Sequence, residues 1–216
     1  MTVRVYLAGP EVFLANAREL GMRKRAVCMQ HGLTGIFPAD EEEPCSPTLT
    51  LPERGLAISR AMERVMRTCD AMIVNLTPFR GPSADVGSAY EMGFMRALGR
   101  PIFAYTNDDR PFFDRVVEFC GGTVRERPTS MHEDDDGMAI ERFMLRDNLM
   151  LDGGVISSGG CLAANQQRTA NVTPRWWHSN CVYQRLPRCS ILAAGSADNR
   201  SGWTVHSRSC ARPNRY

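Results

Sequence analysis

Asp85 and Glu91 are the residues whose types and spacing could do chemistry. They lie in Asn75-Leu-Thr-Pro-Phe-Arg-Gly-Pro-Ser-Ala-Asp85-Val-Gly-Ser-Ala-Tyr-Glu91-Met-Gly93, directly after a nearly all-apolar run. Asp85 stands where a helix would begin and can cap its free amides. Two side chains six residues apart inside one helix point about 120° away from each other. The pair converges only if Asp85 sits at the helix entrance, outside the regular turn. Glu91 falls among small or apolar residues, Val86, Ala89, Met92, Phe94 and Met95. Helical side chains lean toward the N-terminus, so Glu91 lies over Ser88 and Gly87, both small, which leaves room for a ligand above the carboxylate. Gly87 and Gly93 inside a helix each cost about 1 kcal/mol relative to Ala, a cost that close approach by a ligand or another backbone would justify. A carboxylate in a semi-apolar pocket can attack an electrophilic sugar carbon while a second carboxyl protonates the leaving group. Retaining glycosyl chemistry uses such a pair about 5 Å apart. On spacing alone, the same two residues also read as a plain N-cap and a solvated helix carboxylate.

The elements that must hold this pair alternate along the first 150 residues. Short β-rich runs occur at 3–8, 32–38, 70–76 and 101–105, with a weak fifth around Val124. Helical stretches are expected over 12–31, 52–69, 85–99, 111–120 and 137–145. The run Asp70-Ala-Met-Ile-Val-Asn-Leu76 suits a central parallel strand buried on both faces. The alternation predicts an α/β fold: a flavodoxin-like three-layer sandwich around a central parallel five-stranded sheet. In the strand order 2-1-3-4-5, ligands bind outside the carboxyl ends of strands one and three. The turn Gly9-Pro10 and the loop from Thr77 would flank that crevice.

Composition divides the chain. Before residue 160 there are 18 basic and 23 acidic residues; after it come eight Arg against one acid, Asp198. The first part therefore offers no basic face for nucleic acid. The expected organisation is one domain over 1–155 and a basic, irregular, disordered tail over 156–216. Trp176-Trp177 beside Arg175 reads as part of that tail, or as a surface that stacks on a base. No apolar run reaches the length of a membrane span, and no signal peptide opens the chain, so a cytoplasmic protein is expected. The eight Cys include no C-x-x-C pair, and no His/Cys cluster has zinc spacing, so no metal site is expected. Glu41-Glu42-Glu43 and Glu133-Asp-Asp-Asp136 read as solvated loops, the first also as a flap over the site.

Four segments in order resemble the nucleoside 2-deoxyribosyltransferase family: Tyr6-Leu-Ala-Gly-Pro-Glu-Val-Phe13, Cys69-Asp-Ala-Met-Ile-Val-Asn-Leu-Thr-Pro-Phe-Arg-Gly81, Asp85-Val-Gly-Ser-Ala-Tyr-Glu-Met-Gly93 and Asp147-Asn-Leu-Met150. The resemblance spans about residues 3–152. It implies a flavodoxin-like fold and transfer of 2-deoxyribose between purine or pyrimidine bases in nucleoside salvage, without a cofactor. Under it, Glu91 is the nucleophile of a covalent intermediate. Asp85 is the acid that serves the departing and incoming bases, and Tyr6 holds the nucleophile. Gly9, Pro10, Asn75, Arg80 and Gly87 would line the substrate crevice. Asn148 would reach the sugar in a neighbouring subunit's site, so a homo-oligomer is implied, with deoxynucleosides and free nucleobases as partners. Without the resemblance, Tyr6 reads as a core strand residue and Asn148 as a helix C-cap, and Asn75 and Arg80 serve their own loop.

Two positions depart from the family pattern. Met62 stands where a polar Asn or Asp is expected, and Arg142-Phe-Met-Leu-Arg146 is more basic and bulkier than the usual stretch before Asp-Asn-Leu-Met. The rival readings are an N-glycosidase acting on deoxynucleosides or their 5′-monophosphates, and a non-catalytic nucleotide-binding module. An acid in the first-strand loop, Glu11, weighs against a phosphate cradle there.

Overall fold

A computed structural model describes residues 2–38, 48–128 and 131–164. Its main sheet contains β1 (Val3–Ala8), β2 (Leu33–Ile36), β3 (Ala71–Asn75), β4 (Ile102–Thr106) and, last among the described residues, β8 (Leu162–Ala164). The order is β2-β1-β3-β4-β8 and every pair is parallel. The expected α/β sandwich with a five-stranded parallel sheet is therefore the fold of this chain. β3 and β4 are buried at every residue, as strands covered on both faces must be.

The period-two alternation of the strands sorts their side chains into two cores. Val5, Leu7, Ile73, Phe103 and Tyr105 pack with Ala17, Val27 and Cys28 of α1 (Ala17–Gln30). Tyr6, Ala8, Met72, Val74, Ile102 and Ala104 face the other side. There they meet Met66 of α2 (Leu51–Arg67), Met92 and Met95 of α3 (Val86–Ala97), and Leu151 and Val155 of α5 (Leu149–Ser157), while α4 (Phe112–Phe119) follows β4. α2 opens on Thr50-Leu-Pro-Glu53: the Thr50 N–H donates to Glu53 Oε2 at 2.8 Å, half of a capping box. The chain before α1 is a single 3-10 turn, Pro10–Phe13, and not the start of a helix running from residue 12.

Three expectations need correction. The fifth strand of the sheet is Leu162–Ala164, not a strand at Val124. Next to Val124, β5 (Arg125–Glu126) instead pairs antiparallel with β6 (His132–Glu133), which pairs with β7 (Ala139–Ile140). The helix expected over 137–145 is absent: Gly137 turns at φ +77°, β7 follows, and Met144 has φ +57°. The last helix among the described residues is α5, with Asn148 at its N-cap and not at a C-cap. It was masked in the sequence by Gly153-Gly154, poor helix formers that burial of Leu151 and Val155 overrides.

The expected boundary at residue 155 falls inside α5, and the edge strand lies beyond it. Gly159-Gly160, where the composition shifts, is the turn that feeds β8. Gly159 has φ +82°, and a Cβ on Gly160 would lie 1.7 Å from the Ile102 carbonyl oxygen. Only glycine lets the chain pass that close to β4. The basic segment from residue 165 onward, with Trp176-Trp177, and the acidic run at 41–43 lie outside the described residues.

Candidate active site

The sheet reverses its order between β1 and β3, and the loops at their carboxyl ends meet. Phe13, after β1, stacks on Phe79, after β3, with ring centroids 5.3 Å apart and planes 10° from parallel. The exposed Arg80 guanidinium lies over both rings, 4.7 Å from Phe79 and 5.3 Å from Phe13. Arg80 adopts φ +56°, an uncommon conformation for a residue with a Cβ. Its place over the rings gives it a role in the loop's own structure.

Gly9 ends β1 at φ +148°. A Cβ there would sit 2.7 Å from the Asn75 Cβ and 2.1 Å from Glu11 Oε2. The first-strand turn is thus pressed against the end of β3, and Pro10 is buried beneath it. Asn75 does not project freely into the crevice. It is fully buried, its Nδ2 donates to Glu11 Oε1 at 3.1 Å, and its Oδ1 accepts the Thr77 N–H at 2.9 Å and the Thr77 hydroxyl at 2.6 Å.

Asp85 is the N-cap of α3, as its position required. Its Oδ2 accepts the Ser88 N–H at 2.9 Å and the Ser88 hydroxyl at 3.1 Å. Gly87 lies exposed in the first turn, and a Cβ there would stand 3.0 Å from Asp85 Oδ2 and 3.9 Å from its Cγ, with nothing beyond that side chain within 4 Å. Glycine therefore leaves the cap carboxylate uncrowded and the surface above it open. Gly93 likewise has nothing within 4 Å, so it is not required by a neighbouring backbone.

Glu91, one turn further on, is partly buried, and the Tyr6 hydroxyl donates to its Oε1 at 2.5 Å. Tyr6 is fully buried in the middle of β1, beside Met72 of β3. Its rigid strand position fixes one carboxylate oxygen and leaves Oε2 for other work. Burial pushes the Glu91 pKa up to about 7, the negative charge of Asp85 pushes the same way, and the Tyr6 hydrogen bond opposes both. The two acids are therefore close enough to feel each other's charge. A carboxylate poised near neutrality, oriented by a phenol and beside a second acid, is equipped for nucleophilic attack with proton transfer.

These features coincide with a match to the nucleoside 2-deoxyribosyltransferase family over residues 5–150. The chain belongs to that family. It is 33% identical over 170 residues to an uncharacterized protein of Schizosaccharomyces pombe, covering 74% of this chain and 81% of the relative. It is also similar to the solved 2-desoxiribosyltransferase from Leishmania mexicana, at 30% identity and a TM-score of 0.51, covering 69% of this chain and 85% of that one. As a family member, the chain has the fold of a deoxyribosyltransferase-type enzyme acting on nucleosides and nucleobases.

Asn148 is the N-cap of α5. Its Oδ1 accepts the Met150 N–H at 3.0 Å, and its Nδ2 donates to Glu141 Oε1 at 2.9 Å. One N–H of that amide and one lone pair stay available for a further partner.

Sequence reasoning missed a buried polar cluster behind the first-strand turn. Glu11 is fully buried and accepts from Lys24 Nζ, from Asn75 and from the Tyr105 hydroxyl at 2.7 Å. Its acid charge is thus neutralised inside the protein, and it does not repel a ligand as the sequence suggested. A signal existed: Lys24, the chain's single Lys, falls on the same helix stripe as Ala17, Leu20, Val27 and Cys28. A cation on an apolar stripe calls for a buried anion. Among the described residues, no group of three His, Cys, Asp or Glu side chains is placed to hold a metal ion, and no helix is long and apolar enough to cross a membrane.

Proposed function

We propose that this protein transfers 2-deoxyribose between bases through a covalent deoxyribosyl-Glu91 intermediate, as a cytoplasmic enzyme of nucleoside salvage. The single observation that carries the reading is the Tyr6-held Glu91 carboxylate, pushed up to about 7 beside the Asp85 cap. The two acids share one proton; with it on Asp85, ionised Glu91 attacks the anomeric carbon through Oε2. The bond from that carbon to the base nitrogen breaks, its electron pair stays on the base, and Asp85 delivers the proton that neutralises it. An ester between Glu91 and the sugar results. The acceptor base then attacks the same carbon, gives its proton to Asp85 and releases Glu91 as the carboxylate. Two inversions give net retention. Tyr6 steadies Glu91 while it loses and regains charge.

The crevice between the Gly9-Pro10 turn and the Thr77–Asp85 loop would hold the nucleoside. Gly87 leaves space beside the acid pair, and Arg80 stands at the rim, over Phe13 and Phe79. Asn148, with its free N–H, would reach the sugar bound to a neighbouring copy of the chain.

Incubation with deoxyinosine and adenine, followed by chromatography, tests the reading. Deoxyadenosine is the expected product. Hypoxanthine without deoxyadenosine would make the protein a hydrolase, and binding without turnover would make it a nucleotide-binding module.

A further inference from the structure

Asp85 needs a fixed address, yet it ends a ten-residue loop, 76–85, that contains Pro78, Gly81 and Pro82. The structure ties the end of that loop to a residue far away in sequence. Asp147 is buried, at 1% exposure, and gathers four donors. Its Oδ1 accepts the Ser83 hydroxyl and, at 2.8 Å, the Asn148 N–H. Its Oδ2 accepts the Ala84 N–H at 3.1 Å and Arg115 Nη2 at 3.4 Å. Ser83 and Ala84 are the two residues immediately before Asp85. The Phe79 N–H in turn donates to the Ser83 carbonyl at 3.0 Å, so the same clamp closes the loop that carries Phe79 and Arg80.

Asp147 is itself held. Its N–H donates to Asp152 Oδ2 at 2.9 Å, and the neighbouring Arg146 N–H donates to Asp152 Oδ1 at 3.2 Å. Asp152 is on α5, whose Leu151 and Val155 are packed into the core. A chain of bonds therefore runs from a helix anchored in the core, through Asp147, to the residues that set where the α3 N-cap begins. The same carboxylate also fixes the first residue of the α5 cap, Asn148. The clamp's bonds end on Ser83 and Ala84, directly before Asp85, so it acts through the position of the acid.

We propose that Asp147 is a positioning residue for Asp85: it holds Ser83 and Ala84 so that the Asp85 carboxylate meets the departing base. The inference rests on the deoxyribosyl-transfer reading above. Misplacing a general acid by about 1 Å can cost on the order of 100-fold in rate. That cost falls on poor leaving groups, which need the proton, and spares good ones.

The test is a series of donor deoxynucleosides whose bases differ in leaving ability, assayed for exchange with wild type, S83A, D147N, D85A and the double variants. S83A removes one tether and keeps the buried Arg115–Asp147 pair, so it reports even where D147N folds poorly. S83A and D147N are expected to lose on the order of 100-fold in kcat for the poorest leaving base but less than about threefold for the best. KM should hold. In a D85A background, S83A should cost less than about twofold more, because neighbours acting through one group are not additive. An equal loss for every base overturns the inference, and so does a full multiplicative loss on top of D85A. Absence of exchange in the wild type is a distinct result: it overturns the transfer reading and the inference with it.

Discussion

Replacing Glu91 by Gln should stabilise the protein, and only above about pH 4.5, where the unfolded chain's carboxyl starts to ionise. The amide oxygen of Gln can still accept the Tyr6 hydroxyl, but no charge has to be carried in the partly buried site. The wild-type carboxyl is raised from 4.5 to about 7, chiefly by burial. Below pH 4.5 the group is protonated in folded and unfolded chains alike, and it adds no pH dependence. Between 4.5 and about 7 the unfolded chain has released its proton while the folded one retains it. The native state then binds more protons, so wild-type stability falls as pH rises. Above about 7 both forms are ionised and the loss is complete. With about 1.4 kcal/mol for each unit, the loss totals about 3 kcal/mol. For a chain of this length that corresponds to a Tm difference of roughly 6–12 °C.

Thermal unfolding of wild type and E91Q in matched buffers from pH 4.5 to 8.5 measures this directly. Groups common to both proteins cancel in the difference. E91Q should gain on the wild type steadily up to about pH 7, then hold a constant lead. A difference that stays flat across the range, or that favours the wild type at pH 8, would refute the argument that burial and Asp85 disfavour the Glu91 charge. Because no substrate enters the experiment, its outcome is independent of the reaction proposed.

Three further outcomes follow from named contacts. Y6F removes the hydrogen bond that opposes the rise in the Glu91 pKa, so the acidic limb of kcat/KM should move to higher pH and activity at pH 6 should fall more than at pH 9; an unmoved limb would release Tyr6 from that role. G9A forces a Cβ against Asn75 at φ +148° and should destabilise the protein by about 3 kcal/mol in urea titration, whereas a loss under about 1 kcal/mol would show that the turn can relax. Mixing separately inactive E91Q and N148A proteins should restore partial exchange if Asn148 serves a neighbouring site; mixtures as inactive as their parents would confine Asn148 to its own chain.

The parts of the fold legible in the sequence are those fixed by strong local patterns. β3 and β4 are continuous apolar runs, and Asp85 followed by a helical segment announced its own N-cap. What stayed hidden was set by contacts rather than by pattern. The edge strand Leu162–Ala164 has three residues, too few to show a period, and its strand character comes from pairing with Ala104, Tyr105 and Thr106. α5 is helical despite two adjacent glycines because Leu151 and Val155 bury against the sheet. In the site, the spacing of Asp85 and Glu91 was legible, but that Tyr6 holds Glu91 came from the resemblance and depends on β1 lying beside β3, 85 residues away in sequence from the acid it holds. The Glu11–Lys24 pair and the Asp147 clamp have the same character: buried charges whose partners the topology supplies.

The intermediate itself is the most direct test of the central proposal. Wild-type protein mixed with a deoxynucleoside in the absence of an acceptor base, quenched in acid, digested and examined by mass spectrometry should yield the peptide containing Glu91 carrying one added deoxyribosyl group, and E91Q treated in the same way should not. A peptide that stays unmodified while exchange proceeds, or a sugar attached to another residue, would contradict the assignment of Glu91 as the nucleophile.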